Sequence, residues 1–241
     1  MDGEIGAQLT LIQESTDRLA GTAGALTDAA AAGPSQLPGW TRGHVLTHLA
    51  RNADGLRNLL HWARTGTKTP MYPSEAARDG DIAAGAGRSA ADLAADLQRS
   101  AAAFAAAAAG LPAAAWAAQV ERRGEPFPAR QIPRTRLSEL EFHHVDLGAG
   151  YQPDDWPAEF VAGALPQVAA SFAGRPDMTA CRLAPDGWPD SFLVGPAGQD
   201  PPEVLVRGAA ERLLAWLSGR AGGTGLQVTG AAAVPVPPPW G

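Results

Sequence analysis

The sequence predicts an α+β protein in which an N-terminal four-helix bundle precedes a small C-terminal α+β unit. Between residues 5 and 147, four apolar patterns of helical period are separated by Gly- and Pro-containing breaks. Between residues 180 and 229, short runs rich in Val and Leu surround one strongly apolar helical stretch. The composition agrees, because 45% hydrophobic and 18% charged residues with long alanine runs favour a helical globule over a disordered or fibrous chain.

The first helix is expected from about residue 5 to 32, with Leu9, Ile12, Leu19, Ala23 and Leu26 on its apolar side and Gly33-Pro34 closing it. Thr41 is placed to cap the second, whose Val45, Leu46, Leu49, Leu56, Leu59 and Leu60 continue to about Trp62. Residues 66–73 break the pattern. A third helix spans about 89–109 with Leu93, Leu97 and Phe104 on one face, and Gly110-Leu111-Pro112 ends it. Residues 120–132 read as a loop or short extended stretch, and residues 135–147 as the fourth helix, stopped by Gly148 and Gly150.

The turn signal Gln152-Pro153-Asp154-Asp155 divides the chain into a bundle, residues 1–152, and a smaller unit, residues 153–241. In the second unit a helix over about 156–172 precedes short strands near 180–183, 191–194, 203–206 and 226–229, with a helix at 209–217. The prolines after Val234 make residues 231–240 an extended tail.

Charge narrows the function classes. The 25 acidic residues outnumber 19 Lys plus Arg, the net charge is −6, and no basic cluster alternates with aromatics, so neither nucleic acid nor an anionic membrane is expected as a partner. No apolar stretch reaches the ~18 residues of a membrane span and no signal-peptide pattern opens the chain, so a cytoplasmic location is the expectation. Cys181 is the single cysteine. It rules out an intrachain disulfide and a cysteine-based zinc cluster, and thiol chemistry would have to draw on an external thiol.

The five histidines fall in two places: His44, His48 and His61 in the second helix, His143 and His144 in the fourth. Glu139 and His143 are i and i+4, so their side chains share a face one turn apart and can converge on a metal. A histidine from the neighbouring helix can complete the set, and His44 and His48 both compete for it because they also lie i and i+4. Two imidazoles and a carboxylate leave a coordination position for water or substrate, the pattern of catalytic zinc. That donor set does not by itself select zinc over nickel, iron or manganese. His144, about 100° around the helix from His143, reads as a surface or supporting residue, and Asp146 as a hydrogen-bond partner for His143.

Four segments carry a resemblance. Residues 39–49, Gly-Trp-Thr-Arg-Gly-His-Val-Leu-Thr-His-Leu, residues 58–66, Asn-Leu-Leu-His-Trp-Ala-Arg-Thr-Gly, residues 69–72, Thr-Pro-Met-Tyr, and residues 143–149, His-His-Val-Asp-Leu-Gly-Ala, closely resemble the mycothiol-dependent maleylpyruvate isomerase family, within the wider group of DinB-like metal-binding bundles. The resemblance spans essentially the whole chain. It implies a zinc ion on His48, Glu139 and His143, which demotes His44, and it places Arg220 near the metal as a catalytic or substrate-anion residue. Arg42, Asn52 and Tyr72 become the candidates for contacting the thiol cofactor, mycothiol, with Arg51 and Arg64 as further anion contacts.

The activity so implied is cis-trans isomerisation of maleylpyruvate to fumarylpyruvate, by addition of the mycothiol thiolate to a conjugated dicarboxylate, rotation, and expulsion of the thiolate. A zinc-dependent mycothiol S-transferase acting on another electrophile is the alternative enzyme, and a non-catalytic metal-binding protein the alternative outside catalysis.

Overall fold

The computed structural model describes residues 2–196, 198 and 203–240. The chain divides into two compact units between Gly150 and Tyr151. Together they make an α+β protein.

In the first unit, α1 (Asp2–Gly24), α3 (Arg42–Thr65), α5 (Ala90–Ala109) and α6 (Ile132–Asp146) form the bundle. α1 packs on α5 and α6, and α3 packs on the same two, so the four close a ring around a core that includes Leu19, Leu46, Leu56, Leu97, Phe104 and Leu140. A single first helix over 5–32 does not form. α1 stops at Gly24, and a short α2 (Asp28–Ala32) restarts where the Thr27 hydroxyl accepts from the Ala30 amide, so a competing N-cap outweighed the continuing alanine run.

α3 opens on a reciprocal cap, with the Thr41 hydroxyl accepting from the His44 amide while His44 Nδ1 lies 3.2 Å from the Thr41 amide. It runs one turn past the expected end to Gly66, whose φ of 72° closes it. A further helix, α4 (Glu75–Gly85), occupies a stretch to which the sequence assigned no element, because Ser74 caps it through the Ala77 amide and Ile82 buries its inner side.

Two features bring chain segments over one end of the bundle. At Gly55 an added Cβ would lie 2.7 Å from Met71 Cγ, so only glycine lets the Met71-Tyr72 stretch lie against α3. Residues 119–128 fold into a hairpin, β1 (Gln119–Arg122) paired antiparallel with β2 (Glu125–Pro128) across the turn Arg123-Gly124. Both turn residues have positive φ, 52° and 83°, as a tight two-residue hairpin requires.

The second unit contains α7 (Ala158–Phe172), α8 (Ala210–Leu217) and a four-stranded sheet of order β4-β3-β5-β6. β3 (Cys181–Pro185) runs parallel to β5 (Val204–Gly208), and β4 (Phe192–Val194) and β6 (Gln227–Thr229) pair antiparallel at the edges. Leu165, Phe172, Leu183, Val206, Leu213 and Trp216 are buried in it. The proline-rich tail has no regular structure, but it is anchored where Trp216 Nε1 donates to Pro235 O and Trp240 Nε1 to Ser171 Oγ.

Candidate metal centre

His48 comes from the first half of α3 and Glu139 and His143 from α6, and the packing of these helices brings the three together. One ligand atom from each lies within 4.8 Å of the others. His48 Nε2 is 2.9 Å from Glu139 Oε2 and 3.1 Å from His143 Nε2, and His143 Nε2 is 3.3 Å from the same carboxylate oxygen. Three donor atoms thus face one point. On the far side of its ring, His143 Nδ1 meets Asp146 Oδ2 at 2.8 Å, which puts the ring proton on Nδ1 and leaves the Nε2 lone pair facing the cluster. Trp40 stacks edge-on against the His48 ring at 5.7 Å and holds it in place.

The electrostatics separate the three groups. Burial pushes the His48 pKa down and outweighs the hydrogen bond to Glu139 that would raise it. Burial would likewise lower His143, but its bonds to the Asp146 and Glu139 carboxylates win and hold it above the ordinary 6.5. Burial alone would raise Glu139, whereas the two imidazoles hold it well below 4.5. The cluster therefore keeps Glu139 as a carboxylate at neutral pH, makes His48 harder to protonate than a free imidazole and makes His143 easier.

A cavity of about 430 Å³ opens on the cluster, lined by His48 and Glu139. Asn52, one turn beyond His48, and Tyr72, from the segment lying over Gly55, also line it. Burial and the nearby Glu139 charge push the Tyr72 phenol pKa up, so it stays a hydrogen-bond donor.

Three arginines that sequence reasoning passed over, Arg78, Arg122 and Arg123, stand in the same wall. Arg78 Nη2 is 3.4 Å from His48 Nδ1, and Arg122 Nη2 is 3.9 Å from Glu139 Oε1. The signal for the hairpin pair was present in Arg123-Gly124, a two-residue turn flanked by extended stretches. A fourth, Arg136, is one turn before Glu139 on α6 and fully buried. Its Nη1 donates to Leu49 O and Asn52 Oδ1, and burial lowers its pKa to about 10, so it remains a cation.

Other candidates of the first unit lie away from the cluster. Arg42, a candidate for contacting the thiol cofactor, donates to the carbonyls of Ala30, Leu147 and Gly148 at the ends of two helices. His44 turns back on Thr41 as a cap. Arg51 pairs with Asp54 and Asp96. Arg64 and His61 face a separate surface pocket. His144 is buried rather than exposed, with Nε2 2.8 Å from Thr22 Oγ1, because α6 meets α1 on that side. Glu141 is buried there as well and accepts from Ser15 and Arg18. Arg220 belongs to the C-terminal unit, where Nη1 donates to Ser218 O and the guanidinium lies 6.0 Å from the Trp240 ring centre.

Cys181 is wholly buried and burial pushes its thiol up to about 11, so it is an inert core residue. Substituting it with alanine is expected to leave thiol-dependent turnover within about twofold of the parent, and native protein should resist labelling by a thiol reagent. Turnover that disappears in Cys181→Ala while the fold is retained would place chemistry on this residue.

Two family models match the chain: the mycothiol maleylpyruvate isomerase N-terminal domain over residues 12–148 and the corresponding C-terminal domain over residues 155–237. Among solved structures, the chain resembles a mycothiol-dependent maleylpyruvate isomerase, and a histidine-to-alanine mutant of that enzyme, each at 30% identity. In both cases the TM-score is 0.89, over 98% of this chain and 97% of the other. No curated protein matches it by sequence. Among the described residues, no helix is long and apolar enough to cross a membrane.

Proposed function

The chain belongs to the mycothiol maleylpyruvate isomerase family, and from that premise we propose that it converts maleylpyruvate to fumarylpyruvate at the His48–Glu139–His143 cluster, with mycothiol as the thiol. The observation that carries this is the opening of a convergent donor set onto a cavity large enough for a small conjugated acid. The three residues suit a divalent ion, which we take to be zinc: their ligand atoms already converge on one point, and Asp146 favours the tautomer that His143 needs. Such an ion would supply Lewis acidity, lowering the thiol pKa or stabilising negative charge on the conjugated carbonyl.

The chemistry follows from the double bond, about which rotation is blocked while its π pair is intact. Addition of the external thiolate to an alkene carbon forms a C–S bond and shifts the π pair through the conjugated carbonyl to oxygen, as an enolate. Rotation then occurs about a single bond. Collapse of the enolate restores the alkene in its trans form and expels the thiolate, so the thiol is recovered. Arg78 and Arg122 line the cavity as cations for the substrate carboxylates, and Tyr72 offers its hydroxyl as a neutral donor. Asn52 stands beside them at the cavity wall.

Incubating the metal-loaded protein with maleylpyruvate and mycothiol should yield the trans isomer with the thiol regenerated, as read by proton NMR. A stable thioether would indicate an S-transferase instead, and absence of turnover with the metal bound would refute the assignment.

Metal uptake should depend on pH in a defined sense. The His143 pKa in the free site is raised above 6.5, so below that raised value a metal must displace one proton. Apparent affinity, measured against a competing chelator, is expected to rise about tenfold per pH unit up to that pKa and then level off. In the metal-free protein the stabilising contribution of His143 is fully present below 6.5 and is lost as pH rises through its folded pKa. That of Glu139 is present above 4.5 and is lost as pH falls through its depressed pKa. A metal affinity flat from pH 6 to 8 would contradict this protonation pattern.

A further inference from the structure

Arg136 is a fully buried cation that no carboxylate of the described residues hydrogen-bonds or pairs with. Its Nη1 donates to Leu49 O and Asn52 Oδ1, whereas Nε and Nη2 are buried with no hydrogen-bond acceptor. Charges this deep are ordinarily paired, since desolvation is costly and an uncompensated guanidinium leaves that cost unmet. The carboxylates nearby are committed. Glu139 faces the two histidines and Asp54 pairs with Arg51 and Arg57.

Asn52 connects this charge to the cavity. It is almost completely buried in the bundle yet contributes to the cavity wall, which Arg136 does not. Because Arg136 donates to Oδ1, the amide is held in one of its two flips, with its NH2 directed away from the guanidinium. Nδ2 has no hydrogen-bond partner among the described residues. A fixed donor therefore sits one helical turn beyond His48, backed by a buried guanidinium that no carboxylate of the described residues hydrogen-bonds.

We propose that the Arg136–Asn52 pair forms a carboxylate subsite, in which Asn52 Nδ2 donates to one carboxylate of a dianionic substrate and Arg136 is the buried counter-charge that selects the anion. Arg136 is a positioning residue, acting through Asn52. The subsite deepens the assignment of a conjugated dicarboxylate substrate and rests on it. It differs from the cations of the cavity wall, because it is built into the bundle interior and cannot swing away.

The test uses the metal-loaded protein with maleate as a dianion and maleamide as its neutral analogue, binding being followed by calorimetry. Asn52→Asp is nearly isosteric and gives Arg136 the carboxylate it lacks, while placing negative charge where the ligand carboxylate would bind. The expected result is a melting temperature above the parent's, unchanged metal content, maleate binding weakened about tenfold or more, and maleamide binding within about twofold. The double variant Arg136→Met/Asn52→Leu removes the cation together with its acceptor, and should likewise lose the preference for maleate over maleamide. A role confined to clipping α6 to α3 predicts no difference between the two ligands.

Unchanged maleate affinity in Asn52→Asp, equal losses for both ligands, or a lowered melting temperature would overturn the subsite. These measurements involve no turnover. A parent protein that binds maleate preferentially but does not isomerise maleylpyruvate would sink the isomerase assignment alone, whereas an active parent with an indifferent Asn52→Asp would sink only the subsite.

Discussion

Replacing His48 with alanine is expected to release the metal and to lower isomerase turnover by about 10³-fold or more. Among the described residues the cluster has three protein donors, and His48 is the one supplied by α3, so its loss leaves Glu139 and His143, a two-point site on a single helix. Lewis-acid stabilisation of developing charge amounts to several kcal/mol, and each ~1.4 kcal/mol is a factor of ten in rate. His48 is also buried against Trp40, so truncation leaves a void beside that ring and some loss of stability. Metal analysis of the folded variant separates the two effects. Stoichiometric metal with parental turnover would show that the ligand set is misassigned.

Asp146→Asn is the second large effect and acts without removing any of the three donors. Asp146 is buried, and its Oδ2 lies 2.8 Å from His143 Nδ1, so its charge favours the Nδ1–H tautomer and the ring orientation that present Nε2. The amide keeps the shape but removes the charge, and it can itself donate to Nδ1 and stabilise the opposite tautomer. Metal affinity is expected to fall about 10–100-fold, the usual range for removing a partner that orients a ligand. The same substitution should remove a cause of the raised His143 pKa, so the pH at which metal uptake levels off should move down. A variant with parental affinity and an unmoved pH profile would show that Asp146 serves only the helix end.

The legible part of this site is local. Glu139 and His143 are one turn apart on a continuous helix, and that relation survives whatever the helix packs against. The same argument could not choose between His44 and His48, which share a face, and the choice turned on an N-cap: the His44 imidazole folds back on Thr41 while His48, one turn further in, faces α6. His144 was misjudged for a related reason. α6 buries charged and polar groups on several faces, Arg136, Glu141 and His144 among them, so the usual division into an apolar inside and a polar outside did not apply. The contacts of Arg42 were not legible because they include carbonyls more than a hundred residues away in sequence, at Leu147 and Gly148.

By itself the sequence determined the periods of the helices and strands, the turn residues that separate them, the absence of a cysteine ligand set, and the pairing of a carboxylate with an imidazole on one helical face. Each depends on bond geometry and on neighbours within a turn or two of chain. The tertiary structure decided which histidine faces that pair, which arginines surround the cavity, and that Arg136 lies buried without a counter-ion. These relations depend on packing between helices: His48 and Glu139 are 91 residues apart, and no local periodicity specifies the distance between their side chains.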